Sequence, residues 1–244
     1  MKDNFSKQAV DYSKFRPQYP QEMIDYIVSF VTNKSVALDI ATGNGQVAHK
    51  LSSSFEKVYA TDISQKQLDN AIQADNIIYC KQPAENTSFE NKKFDLIVVA
   101  QAIHWFDFDA FYKEVYRILK PNRIFAVMGY GLFSTNPDSD KILNHFYYNI
   151  VGPYWDAERK YLDENYETIP FPFEEIPSKK FENNFVWSFD ALIGYLNTWS
   201  SVQHYISKNG KNPIDLIYED LKVSWENNDQ KVTFPLLLRI GKFR

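Results

Sequence analysis

A short apolar run, Val36–Ile40, ends in a turn that holds two glycines, Gly43 and Gly45, and a helix-forming stretch follows over 46–53. A strand entering a helix through such a turn reads as the first half of a β-α-β unit. Glycine reaches the backbone angles of a tight turn and lets main chain approach a ligand closely. Asp62 stands 19 residues past Gly43, at the end of a second apolar run over 58–62. A carboxylate there can accept hydrogen bonds from both hydroxyls of a ribose. Turn and acid together point to a cofactor that contains adenosine.

The rest of the first half repeats the pattern. Met23, Ile24, Ile27, Val28 and Val31 recur at helical spacing. Ser64 is placed to cap a helix running to about Ala74, and strands are expected over 77–80, Phe94–Ala100 and 124–128. Phe108, Phe111, Tyr112, Val115, Ile118 and Leu119 share one face of a helix that should stop before Pro121. Strands alternating with helices imply parallel pairing, and apolar runs without polar alternation imply strands covered on both faces. After Gly131 the pattern breaks into an aromatic, proline-rich stretch that reads as a helical insertion over the sheet, followed by a sixth strand at 181–187. Asn212-Pro213 opens a helix carrying Ile214, Ile217, Leu221 and Trp225 on one face. The last strand, over 231–239, contains Pro235, which suggests an edge position or a bulge.

Which adenosine cofactor the turn serves is a separate question. Gly43, Gly45 and Ala48 also fit the G-x-G-x-x-A dinucleotide fingerprint. Asp39, beside the turn, discriminates. A dinucleotide would set its pyrophosphate against this carboxylate, whereas S-adenosylmethionine brings a cationic sulfonium and ammonium. One such contact at about 5 Å and an effective dielectric near 20 is worth on the order of 3 kcal/mol before desolvation. Asp39 could also simply brace the glycine turn, and the two roles are compatible.

Composition narrows the partners. The 244 residues suit one α/β domain with a modest insertion, and the net charge of −4, with no basic run, does not suit a nucleic-acid partner. Cys80 is the sole cysteine, so neither an intrachain disulfide nor a cysteine-built metal site is expected, and the four histidines are scattered; no metal is assigned. The N-terminus lacks a signal-peptide core and no apolar run spans a bilayer, so a cytoplasmic location and no membrane partner are the expectation. Aromatics at 16% suit an aromatic-lined pocket or an aromatic core.

On these residues the chain resembles the class I S-adenosylmethionine-dependent methyltransferases of the type 11 domain. Asp39-Ile40-Ala41-Thr42-Gly43-Asn44-Gly45 looks like their first motif, with Ala41 in place of its first glycine. Pro83-Ala84-Glu85 is similar to the loop that flanks adenine, 101–106 to the end of the fourth strand, and 117–121 to the link before the fifth. More narrowly, 12–20, 102–107 and 195–201 resemble the N-terminal lid, fourth-strand signature and late helix of the branch containing trans-aconitate methyltransferase. The resemblance implies a Rossmann-like α/β fold: a seven-stranded, mostly parallel sheet with one antiparallel strand, flanked by helices. It implies a single domain over 1–244, a lid over 1–20 and a cap inserted over 133–180.

It also implies S-adenosylmethionine as cofactor, held by Asp39, Ala41, Thr42, Gly43, Gly45, Asp62, Ile63, Ala84, Glu85 and Gln101. The acceptor would be a small molecule, O-methylated on a carboxylic acid. Tyr12, Phe15, Arg16, Tyr19, His104, Trp105 and Trp155 would bind it, with Trp187 a further candidate. Arg16 could fork onto a substrate carboxylate, and His104, just past the fourth strand, could donate to the acceptor or act as a base. A carboxylate nucleophile needs no base. The N/D-P-P-Y/F turn of enzymes that methylate exocyclic amines is absent, since 100–103 reads Ala-Gln-Ala-Ile. A monomer or homodimer is expected. The alternatives are an NAD(P)-dependent oxidoreductase using the same glycine turn, and a non-catalytic homologue that binds the cofactor.

Overall fold

A computed structural model of the chain describes residues 15–243. Tyr12 and most of the expected 1–20 lid lie outside the described residues.

Five parallel strands form the backbone of the fold: β1 (Val36–Ile40), β2 (Lys57–Asp62), β3 (Ile77–Lys81), β4 (Phe94–Ala100) and β5 (Leu119–Tyr130). A long strand, β8 (Lys231–Lys242), runs antiparallel to β5. Two short strands, β6 (Glu174–Ile176) and β7 (Phe181–Val186), pair in succession with the far side of β8. The order is β3-β2-β1-β4-β5-β8, with the last position shared by β6 and β7. The expected Rossmann-like sheet with one antiparallel strand is therefore present, its seventh position split in two.

Both faces are buried. In β4, Leu96 and Val98 join the core on one side, and Phe94, Ile97 and Val99 join the core on the other. The same alternation runs through β5, with Ala126 and Met128 opposite Phe125 and Val127. That is why these strands read as continuous apolar runs. Helices α1 (Gln21–Ser29) and α2 (Gln46–Ser52) cover the first face through Met23, Ile27, Val47 and Leu51. Helix α4 (Phe108–Ile118) covers the second through Phe111, Val115 and Ile118. Asp107 starts α4 by accepting from the Ala110 N–H at 3.1 Å.

Three expectations change. Ser64 does cap α3, but α3 (Gln65–Asp69) stops five residues short of Ala74. The Ile72 N–H instead donates to the Asn44 carbonyl in the glycine turn at 3.0 Å, which pulls the chain out of helix. Strand β5 begins before Pro121, and a register shift between Phe94 and Leu96 absorbs the interruption. Of the two positions expected for Pro235, an edge or a bulge, the structure has the bulge and not the edge, because β8 lies between β5 and the β6/β7 position. The Pro235 carbonyl accepts from Gly131 N, while Thr233 pairs with Ser134, so the chain carries an extra residue there. The missing N–H of Pro235 falls at this irregular end of the β5 ladder.

Beyond β5 the chain forms α5 (Pro137–His145), short turns, and α6 (Lys160–Asp163) before returning to the sheet as β6. After β7 come α7 (Phe189–Asn197), α8 (Ser200–Asn209) and α9 (Tyr218–Glu226). No helix among the described residues is long and apolar enough to cross a membrane.

Candidate active site

From β1 the connection runs toward β2 on one side, while β4 joins β1 on the other, so their C-terminal ends flank the crevice where ligands bind in open α/β sheets. The glycine turn closes one wall. Ala41, Gly43 and Gly45 all take left-handed backbone angles, with φ of 56°, 57° and 81°. Ala41 stands where the family motif has glycine, and it carries the strain of a non-glycine residue there, roughly 1–2 kcal/mol. Gln101 at the end of β4, on the opposite wall, is also left-handed, with φ 54°. Its side chain is strapped to β5: Oε1 accepts from Tyr130 N at 2.9 Å and Nε2 donates to Tyr130 O at 3.4 Å. Strained non-glycine residues therefore stand on both walls of one crevice.

Asp39 resolves into two roles, one per oxygen. Oδ2 accepts from the Thr42 hydroxyl at 2.5 Å and from Ala48 N at 3.0 Å, which braces the turn. Oδ1 is buried and accepts no hydrogen bond among the described residues. Burial pushes the Asp39 carboxyl up to about 7, with nearby Asp62 adding to the rise and the two hydrogen bonds opposing it. A buried acceptor without a donor, lining a cavity of about 90 Å³, is suited to a cationic or donor group of a ligand. This is the test of fit for S-adenosylmethionine, and the chain meets it. Asp62 holds the turn from the other side, accepting from Gly43 N at 3.0 Å and Ser64 N at 2.9 Å.

A second, smaller cleft of about 40 Å³ lies next to the first, and Arg16 and Gln101 line both. His104, Trp105, Trp155 and Arg159 line it further in. His104 sits on a single turn, Ile103–Trp105, and is 5% exposed. Its Nδ1 lies 3.1 Å from the Tyr166 hydroxyl. Burial, with Arg159 adding to it, pushes the His104 imidazolium down to about 3. The ring is therefore neutral at physiological pH, a hydrogen-bonding group and a weak base. Its NMR resonances are expected to stay flat from pH 5 to pH 8; a titration step near 6.5 would contradict this environment.

Tyr166 is itself placed with care. Asn165 and Tyr166 are both left-handed, at φ 54° and 62°, and Arg239 donates to the Tyr166 carbonyl at 3.0 Å. The ring lies against Gly129 on β5, where any Cβ would come within 2.6 Å of it.

Of the expected cofactor residues, Asp39, Ala41, Thr42, Gly43 and Gln101 line the first cleft. Gly45 caps α2 behind it. Asp62 ends β2 and Ile63 follows it, neither lining either cleft; Ala84 is core, and Glu85 accepts from Asp107 N at 3.4 Å. Of the expected acceptor residues, Arg16, His104, Trp105 and Trp155 meet in the second cleft, and Tyr19 lines the first. Phe15 lines neither and sits beside Gly194. Trp187 is not in the cleft; it packs on Tyr195 and Phe234 in the core. Sequence reasoning missed Arg159, Tyr166 and Gly129. Each acts through contacts distant in sequence, and none belongs to a short motif.

Residues 38–127 match the methyltransferase domain family. A Dictyostelium discoideum protein described as a methyltransferase is 33% identical over 249 residues, covering 98% of this chain and 95% of that one. A Saccharomyces cerevisiae protein described as an S-adenosylmethionine-dependent methyltransferase is 28% identical over 176 residues, covering 68% of this chain and 59% of its own. Among solved structures, one described as a type II methyltransferase from Anaeromyxobacter dehalogenans superposes with a TM-score of 0.85 at 33% identity, covering 93% of this chain and 98% of its own.

Proposed function

The chain belongs to the methyltransferase family, with S-adenosylmethionine as cofactor, and on that premise we propose that it methylates an oxygen of a small carboxylic acid. The observation that carries this reading is the pair of adjoining clefts that share Gln101 and Arg16, one with the unpartnered oxygen of Asp39 and the other with His104 and cationic side chains. The dinucleotide alternative is not favoured: a pyrophosphate beside that oxygen would be repelled.

Bound in the first cleft, the cofactor supplies an electrophilic methyl carbon on a sulfonium. Asp39, the glycine turn, Asp62 and Gln101 are the residues proposed to hold it. An acceptor carboxylate would need no base: its oxygen would supply the electron pair of the new bond, the pair of the broken carbon–sulfur bond would leave with sulfur, and no proton would have to move. The protein's work is then positioning and exclusion of water. His104, neutral and fixed by Tyr166, orients the acceptor through a hydrogen bond instead of removing a proton. The narrower likeness to the trans-aconitate branch, a cytoplasmic setting and a monomeric or homodimeric state belong to the same proposal.

Incubating the protein with methyl-labelled S-adenosylmethionine and a panel of small carboxylic acids tests it. The expected product is a labelled ester that base hydrolysis returns as methanol. Label recovered only in base-stable products would refute O-methylation of an acid.

A further inference from the structure

The second cleft contains a cation held in an unusual way. Arg159 ends the turn Ala157–Arg159. Its guanidinium carbon lies 4.7 Å from the centre of the Trp155 ring and 5.3 Å from that of Tyr147. Nε donates to the Tyr147 hydroxyl at 2.7 Å and reaches Asp163 Oδ1 at 3.3 Å. Among the described residues, Nη1 and Nη2 make no hydrogen bond. Arg159 lines the cleft, within reach of an occupant.

We infer that Arg159 is the anchor for a carboxylate of the acceptor, an inference that rests on the methyl-transfer reading above. A guanidinium is a planar fork whose terminal nitrogens match the two oxygens of a carboxylate. Here the fork is already oriented by two rings and by its Nε contacts, so little freedom is lost when a carboxylate docks. Arg16, the cation expected for this task, is engaged elsewhere: Nη1 donates to the Tyr130 hydroxyl at 3.1 Å and Nη2 to the Thr198 carbonyl at 3.0 Å. Arg16 ties the N-terminal segment to β5 and to the end of α7, and Arg159 holds the acid.

The size of the cleft agrees. A cavity of about 40 Å³ takes one carboxylate, and the remainder of the acceptor extends past the tryptophans toward Gln101. Asp156 also lines the cleft, and Asp163 pairs with Arg159 at 3.3 Å, so Arg16 and Arg159 are matched by two carboxylates. Asp163 meets Arg159 at Nε, away from the terminal nitrogens. An acceptor without an anionic group would leave the two terminal nitrogens desolvated and without an acceptor, which is how a site rejects the wrong ligand.

The experiment is calorimetric titration of the full chain with benzoate and succinate, each beside its amide, with and without S-adenosylhomocysteine. At least one acid should bind at least about tenfold tighter than its amide, and R159M should weaken that acid about 30-fold or more. R159K, which keeps the charge but not the fork, should fall between. S-adenosylhomocysteine affinity should be unchanged in both variants, which also reports that they are folded. Acids that bind no tighter than amides, or not at all, or an R159M that binds them like the parent, would overturn the assignment. If S-adenosylhomocysteine fails to bind the parent protein, the methyl-transfer reading falls, while the acid–amide comparison without it still decides the role of Arg159.

Discussion

Asp39→Asn should weaken binding of S-adenosylmethionine by about a hundredfold while leaving the fold at least as stable, because the two oxygens of Asp39 do different things. The amide oxygen of asparagine can replace Oδ2 toward the Thr42 hydroxyl and Ala48 N. The amide nitrogen then takes the place of Oδ1 and presents donors to a cation. Loss of one close charge contact at an effective dielectric near 20 is on the order of 3 kcal/mol.

The stability side follows from linkage. Asp39 rises from 3.8 to about 7 in the folded chain. Its contribution to stability is fully present below pH 3.8 and is lost as the pH climbs to about 7, because the unfolded chain gives up the proton first. The asparagine variant lacks this loss, so between those values its melting temperature should decline less than that of the parent. Binding carries the opposite pH dependence. A cationic ligand favours ionised Asp39, so affinity in the parent should rise from pH 6 toward pH 8, with protons released on binding, and should flatten in the variant. Calorimetry in buffers of different ionisation enthalpy measures both. A variant that binds the cofactor like the parent would remove Asp39 from the site.

Gly129→Ala should cost both stability and turnover, although the change is one methyl group. The added Cβ would lie 2.6 Å from Tyr166 Cε2 and 3.2 Å from Gln101 Oε1. Neither neighbour has room to retreat. Tyr166 is fully buried on a left-handed turn with its carbonyl held by Arg239, and Gln101 is strapped to Tyr130. Overpacking of this kind costs about 1–3 kcal/mol. In a chain of this length that lowers the melting temperature by roughly 2–10 °C. Displacing Tyr166 also frees His104 from its 3.1 Å contact, and a misplacement near 1 Å lowers turnover about a hundredfold. Adding Tyr166→Leu to the variant should return part of the melting temperature and none of the activity. Unchanged turnover in Gly129→Ala would show that the Tyr166–His104 contact does not position the acceptor.

These two sites were not equally visible in the chain. Asp39 stands beside the glycine turn, so a local pattern and the sign of a charge were enough to single it out. Gly129 reads as an ordinary residue at the end of a strand. Its importance comes from Tyr166, and that of Tyr166 from His104, 62 positions away. Arg159 lies in a stretch with neither helical nor strand period, and its cage is completed by Tyr147 and Asp163. The helix expected after Ser64 ends early for the same reason, since the contact that ends it comes from Asn44, outside any local window.

The alternation of strands and helices from β1 to β5, the faces they bury and the kind of cofactor were legible in the sequence alone. Those properties depend on periodicity and on residues close together in the chain, such as the apolar runs of β1 and β4 and the turn from Asp39 to Gly45. Tertiary structure decided how each side chain is used. It assigned one Asp39 oxygen to the turn and left the other without a donor, and it engaged Arg16 with Tyr130 and Thr198. It also brought Arg159 into the lining of the second cleft. The physical reason is that a hydrogen-bonding group has a fixed capacity, and only the folded neighbours determine how much of it remains for a ligand.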